Sequence, residues 1–276
     1  MPAPTIASTP SRTLKASTSR RSIRALLDPL DALAANSVSL IANHGARFDT
    51  DEGSYELPRY LFVGPRGGDD PIRIGIFATI HGDEPEGAQA LVDFVRLLEA
   101  SPEIARGYCL FIYPLCNPTG YEDNTRASRR GRDLNREFWR DTQEPEVQLL
   151  QQELVTHAFH GTIALHSDDT SHGLYGFVRG ATLTKHLLEP ALESASAVLP
   201  RNQERVIDGF NASKGIIRTG YEGILSAPPK LRPQPFEITF ETPQKAPQYL
   251  QQQALVFALH SILSEYRRFI SYAANL

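Results

Sequence analysis

A run of seven residues, IRIGIFA at 72–78, carries one charge and is followed, after Thr79 and Ile80, by a polar turn, HGDEPEG. So short and apolar a run, with β-branched and aromatic residues, reads as a buried strand. An amphipathic helix then begins at Pro85. In PEGAQALVDFVRLLEA (85–100) the apolar positions Ala88, Leu91, Val92, Val95 and Leu98 recur at three or four residues. Proline suits the first turn, where its missing N–H costs little. Another apolar run, YCLFIYPLCN (108–117), follows. Strands that alternate with helices in this way imply a layered α/β domain.

The alternation continues along the chain. SIRALLDPLDALAAN has helical spacing interrupted by Pro29, and RYLFVG reads as a strand. After a polar, Arg-rich stretch too long for a simple connection (118–139), PEVQLLQQELVTHAF is helical and GTIALHS a short buried strand. A helix with Pro190 inside it, an irregular Gly/Pro-rich segment (201–235), a late strand PFEITFET and a long closing helix complete the pass. The expectation is an α/β fold: three layers, α/β/α, around a mixed, largely parallel central sheet. Residues 25–276 read as one catalytic domain.

Composition removes several function classes. Net charge is −4, so nothing overall points to nucleic acid or an anionic membrane surface. No apolar run approaches the ~18 residues of a membrane span. The first 24 residues hold five basic side chains and no acid, and they lack the apolar core of a secretory signal. They read as a disordered or loosely docked tail. Cys109 and Cys116 read as buried free thiols, which fits a reducing, cytoplasmic setting.

In open α/β sheets ligands gather where strands end. Three strand ends carry chemistry here: HGDE with His81 and Glu84, LHSDD with His166, and TFETP with Glu241. A His and a Glu spaced by two can converge on one metal at a helix start. A third ligand from another strand end completes a His₂Glu set and leaves a position for water, as catalytic zinc requires. A nearby carboxylate such as Glu241 can take that water's proton and pass it to a leaving group. Taken singly, each residue has a plainer reading: a hydrogen-bonded surface His, or a Glu favoured at a helix N-terminus. Asp83 and Glu86 are given that plainer role, and His157, His160, His172, His186 and His260 a structural one.

One more motif, RDLNR at 132–136, lies between the first two strand ends. In order the chain shows HGDE, NPTG, NTR, DLNR, LHS and FE. This series resembles the M14-type zinc carboxypeptidase superfamily, whose relatives include murein peptide amidases and the succinylglutamate desuccinylase/aspartoacylase group. The resemblance implies one Zn²⁺ per chain held by His81, Glu84 and His166. It implies Asn135 and Arg136 as the anchor for a substrate's terminal carboxylate, Glu241 as general base and acid, and Arg126 as the group that polarises the scissile carbonyl. Tyr221 matches the family's substrate-contacting tyrosine, and Ser226 lies roughly where its side-chain pocket is lined. The expected activity is hydrolysis of a peptide or amide bond beside a free carboxylate, of carboxypeptidase or murein-peptide amidase type. Deacylation of N-acyl amino acids is the alternative, and a non-catalytic zinc and carboxylate-binding module comes third. The expected partner is thus a small peptide or N-acyl amino acid. Asp168 and Asp169, unusually acidic for their place, could face a cationic substrate group or be solvated loop charges.

Overall fold

The structure is a computed structural model and describes residues 20–68 and 70–273. Helix α1 (Ile23–Ala34) starts on Ser22, whose hydroxyl accepts the Ala25 N–H, and it runs through Pro29 without ending there. A long antiparallel hairpin of β1 (Leu40–Thr50) and β2 (Gly53–Val63) follows. The chain continues through β3 (Ile72–Ala78), α2 (Glu86–Ala100), β4 (Tyr108–Tyr113), α3 (Pro118–Asp123) and α4 (Pro145–His157). Then come β5 (Gly161–Asp168), β6 (Tyr175–Gly180) and α5 (Thr184–Ala195). Three short strands, β7 (Val206–Ile207), β8 (Phe210–Ser213) and β9 (Ile216–Ile217), precede β10 (Phe236–Pro243) and the closing helix α6 (Gln248–Ala273).

These strands form one mixed sheet in the order β1-β2-β4-β3-β5-β10-β6-β9-β8-β7. The centre, β4-β3-β5-β10, is parallel, and β2 and β6 flank it in antiparallel pairing. The expected layered fold is present. Its main parallel block lies in the middle, with a second short parallel pair between β6 and β9, and the hairpins β1–β2, β7–β8 and β8–β9 make the outer strands antiparallel. Strand β1 has no counterpart in the sequence reading, and the segment 201–235 holds three short strands among its turns.

Strand β10 shows how sequence sets the layers. Phe236, Ile238 and Phe240 enter a core shared with α2, α5 and α6, each of the three 2% exposed or less. Burial of such side chains stabilises by about 1.5–3 kcal/mol each. That offsets the cost of the polar alternates Glu237, Thr239 and Glu241, which face the other side. There a second core joins Phe77, Tyr113, Leu134, Phe138 and Phe159 to α4, with the Phe77 and Tyr113 rings stacked at 4.6 Å.

Of the N-terminal tail, residues 1–19 lie outside the described residues. Arg21, which belongs to that tail, is docked: its backbone N–H donates to the Glu122 carbonyl (2.9 Å) and its guanidinium to the Gly82 carbonyl (3.2 Å). Cys109 and Cys116 are free thiols, and burial pushes the Cys116 thiol well up.

Candidate active site

Because β3, β5 and β10 are parallel, their C-terminal ends open on one side. The β10–β5 register sets Glu241 beside His166, and the turn after β3 brings His81 and Glu84 to the same place. Gly82 is what lets this turn close against α3. A Cβ there would lie 1.9 Å from the Gly120 carbonyl carbon, a separation no side chain tolerates. Thr79 leaves the strand in the left-handed region (φ 55°), which redirects the backbone into the turn.

His81, Glu84 and His166 are buried, at 3–4% exposure. The His81 Nδ1 lies 2.7 Å from one Glu84 oxygen, and the His166 Nδ1 lies 2.9 Å from the other. The three side chains each offer a ligand atom within 4.8 Å of one another. Burial works against an ionised Glu84, but both imidazoles hold its carboxyl well below the usual range. For His81, burial opposes protonation while Glu84 and Asp133 outweigh it. For His166, burial prevails and lowers the pKa. A buried carboxylate between two imidazole Nδ1 atoms is a donor set suited to a divalent metal, and zinc takes this combination. On the remote side of His81, Nε2 faces the Asp133 carboxylate at 3.2 Å. Such outer partners fix the tautomer and orientation of a metal-binding imidazole.

Asp133 is the residue the sequence reading missed, although it stands inside the DLNR motif. Its carboxylate also receives the Arg126 Nε–H (3.1 Å) and the Asn135 N–H (3.0 Å). Burial works against its ionisation, but the His81 imidazole first, then Arg126 and Arg136, hold its carboxyl below the ordinary range. Arg126 thereby sits next to the cluster, with Nη1 3.2 Å from the His81 Nδ1 and 3.6 Å from Glu84.

A cavity of about 310 Å³ opens over this cluster and is lined by His81, Glu84, Arg126, Asn135, Arg136, His166, Tyr221 and Glu241. Glu241 is buried at 9% exposure, and among the described residues no group donates a hydrogen bond to its carboxylate. Burial, then Glu84, Asp168 and Asp208, raise its carboxyl well above the usual value, with Arg126 opposing. Across the cavity, Asn135 accepts the Leu225 N–H through Oδ1 (2.8 Å), which leaves its NH₂ without a partner among the described residues. Arg136 packs its guanidinium over the Tyr221 ring at 3.9 Å and forms no ion pair among the described residues. Tyr221 is steadied by its hydroxyl on the Asp208 carboxylate (2.9 Å) and by the Phe210 ring at 4.8 Å. Asp168 is engaged structurally, accepting from Thr170 N–H, the Thr170 hydroxyl and the Tyr175 hydroxyl. Asp169 is an exposed cavity wall. Ser226 lines neither this cavity nor its floor, because its hydroxyl accepts the Trp139 indole N–H.

Known proteins can now be set beside this geometry. Residues 71–205 match the succinylglutamate desuccinylase/aspartoacylase catalytic domain. A comparison with curated proteins finds no match. Among solved structures, a metallopeptidase candidate from Shewanella denitrificans OS217 superposes with a TM-score of 0.70 at 22% identity, over 88% of this chain and 90% of that one. A metallo-carboxypeptidase from Burkholderia cenocepacia gives 0.69 at 16% identity, over 91% and 70%. A metallo-carboxypeptidase from Pseudomonas aeruginosa, solved with (2-guanidinoethylmercapto)succinic acid, gives 0.65 at 17%, over 89% and 69%. Identities this low speak for the shared fold. With the domain match, they show a chain whose residues 71–205 are similar to the succinylglutamate desuccinylase/aspartoacylase catalytic domain and whose fold is similar to that of solved metallopeptidase and metallo-carboxypeptidase structures.

Proposed function

We propose that this chain is a zinc-dependent hydrolase that cleaves a peptide or amide bond next to a free carboxylate. The observation that carries this reading is a single cavity with three features: the buried His81–Glu84–His166 set, a Glu241 carboxylate that no described residue hydrogen-bonds, and opposite it an Arg136 guanidinium that donates to the Asn135 carbonyl (2.7 Å) and has no ion pair among the described residues. His81, Glu84 and His166 would hold one zinc ion, which supplies Lewis acidity and lowers the pKa of a water molecule.

The chain's own residues do the rest. Arg136 receives the substrate's terminal carboxylate through its two-pronged guanidinium, and the free NH₂ of Asn135 adds a donor. Tyr221, packed against the planar Arg136 guanidinium, limits its rotation. Arg126 offers N–H groups beside the cluster, where a carbonyl oxygen gains negative charge as its bond breaks. Glu241 accepts a proton from the attacking water and returns it to the departing nitrogen. Its desolvated environment favours the protonated form it needs for the second step.

The matched domain supports a second reading, deacylation of N-acyl amino acids, in which the same anchor holds the amino acid carboxylate. No helix among the described residues is long and apolar enough to cross a membrane, and both cysteines are free thiols. We propose a cytoplasmic setting, which the two free thiols support. The deciding experiment offers zinc-loaded protein C-terminal peptides, γ-glutamyl-diaminopimelate peptides and N-acyl amino acids. Each is supplied as free acid and as terminal amide. Cleavage of a free acid and refusal of its amide is the expected result. Equal cleavage of both forms, or of none, would overturn the proposal.

A further inference from the structure

Gly82 and Asp83 alone separate the ligand candidates His81 and Glu84. Glycine is forced at the first of these by the closeness of Gly120, yet it leaves the turn's backbone freer than any other residue would. The turn closes on itself through the Glu84 N–H, which donates to the His81 carbonyl at 3.2 Å. Further hold comes from distant segments. The Asp83 carbonyl accepts the Gln244 side-chain N–H at 3.3 Å, across 161 positions. The Gly82 carbonyl accepts the Arg21 guanidinium at 3.2 Å, across 61.

Arg21 is placed for this by its neighbours in the chain. Ser22 caps helix α1, its hydroxyl accepting the Ala25 N–H at 3.1 Å, and Ile23 packs on Leu26, Ala88, Leu115 and Tyr121. The Arg21 N–H donates to the Glu122 carbonyl at 2.9 Å, and the guanidinium lies over the Tyr121 ring at 5.5 Å. Arg20 turns the other way, to Glu52 in the β1–β2 turn and to Asp123 at 3.2 Å. The Arg21 charge also bears on Glu86, a carboxylate buried at 9% exposure in the first turn of α2. Glu86 accepts the Ser167 hydroxyl at 3.4 Å, and the Ser167 N–H donates to Glu84 at 3.1 Å. One guanidinium thus backs both approaches to the cluster, the turn that carries His81 and the strand end that carries His166.

We propose that Arg21 is a positioning residue for the metal centre: by holding the Gly82 carbonyl it fixes the His81–Glu84 turn and raises the affinity for the ion. The proposal rests on the zinc reading of His81, Glu84 and His166, and it adds a determinant that lies outside the cavity. Charge-assisted hydrogen bonds are the stronger kind, and this one acts on the central peptide unit between the two ligands. A segment that the sequence reading gave to a loosely docked tail therefore contributes a residue to the site.

The test measures zinc affinity by chelator competition, and the Tm of the metal-free protein, in three full-length variants. Arg21→Met keeps an unbranched stem on Tyr121 and removes the donor. Arg21→Lys keeps a charged donor. Arg20→Ala loosens the same segment without touching the turn. Arg21→Met should bind zinc about tenfold more weakly, at the lower end of the roughly 10- to 100-fold range for outer partners of metal ligands. Arg21→Lys should recover most of that loss. Arg20→Ala should bind zinc as the native protein does, whatever its Tm. Native affinity in Arg21→Met, an equal loss in Arg20→Ala, or no recovery in Arg21→Lys would overturn the inference and leave the zinc reading intact. A native protein that binds no zinc at His81, Glu84 and His166 overturns both.

Discussion

One methyl group at Gly82 disturbs the candidate metal centre without touching a ligand. A Cβ at that position meets the Gly120 carbonyl carbon at 1.9 Å, the Tyr121 nitrogen at 2.2 Å and the Gly120 oxygen at 2.4 Å, where ordinary contact starts at 3.4 Å. The obstacle is backbone, so no rotamer change relieves it. Helix α3 does not yield cheaply either. The Asn117 Oδ1 accepts the Gly120 N–H at 2.8 Å and its Nδ2 donates to the Ile80 carbonyl at 3.2 Å, which ties α3 to the residue before His81. Overpacking costs about 1–3 kcal/mol, and a backbone clash belongs at the upper end. At roughly 2–4 °C per kcal/mol for a chain of this size, Gly82→Ala should lower the Tm of the metal-free protein by about 6–12 °C. Displacing the His81–Glu84 turn should also weaken zinc binding on the order of 10- to 100-fold, as loss of ligand-orienting contacts does. Thermal denaturation and chelator competition read the two effects separately. Gly68→Ala is the control, since nothing lies within 4 Å of a Cβ there. A Gly82→Ala protein with native Tm and native zinc affinity would refute the reasoning.

Four further outcomes are expected. Glu241→Gln should keep zinc and substrate binding while turnover falls by about two to four orders of magnitude; unchanged turnover removes it from the mechanism. Arg136→Ala should cost on the order of 2–5 kcal/mol in kcat/KM, and amidating the substrate should then matter little, as paired kinetics would show. Asp133→Asn should weaken zinc affinity by about 10- to 100-fold through His81, and an unaltered chelator titration would count against that link. Glu146, at 2% exposure, has its carboxyl raised from 4.5 to about 7, chiefly by burial. An acid whose folded pKa exceeds its unfolded one stabilises below the unfolded value and loses that contribution as pH rises through the folded one. Stability should therefore fall by up to about 3 kcal/mol between roughly pH 4.5 and pH 7. Denaturant melts of Glu146→Gln across that range should lack this component.

Much of the architecture was legible because it is local. IRIGIFA, TIALHS and EITFET are strands in which apolar content is dense, and the helix from residue 86 repeats its apolar face at three and four residues. Strand β1 was not, because LIANHGARFDT has no clean alternation: it lies at the sheet edge, pairs on one side, and shifts register between His44 and Arg47. The residues the cavity gathers were also legible, since chemistry-bearing side chains stood at three strand ends and parallel strands bring their ends together. The contacts among them were not. Nothing local in RDLNR says that Asp133, rather than a neighbour, meets His81 across 52 positions. Nor does TGYEG announce that Tyr221 stacks on Arg136, or the segment around Ser226 that its hydroxyl turns to Trp139. These depend on how long irregular segments lie over the sheet, which periodicity does not encode.

The central claim is that His81, Glu84 and His166 hold one catalytic zinc. Anomalous scattering at the zinc edge from crystals of the zinc-loaded protein tests it most directly. The account predicts one strong peak per chain, about 2.0–2.2 Å from the Nδ1 atoms of His81 and His166 and from the Glu84 carboxylate, and no such peak in His166→Ala. A peak elsewhere, none at all, or full occupancy in the His166→Ala protein would contradict it.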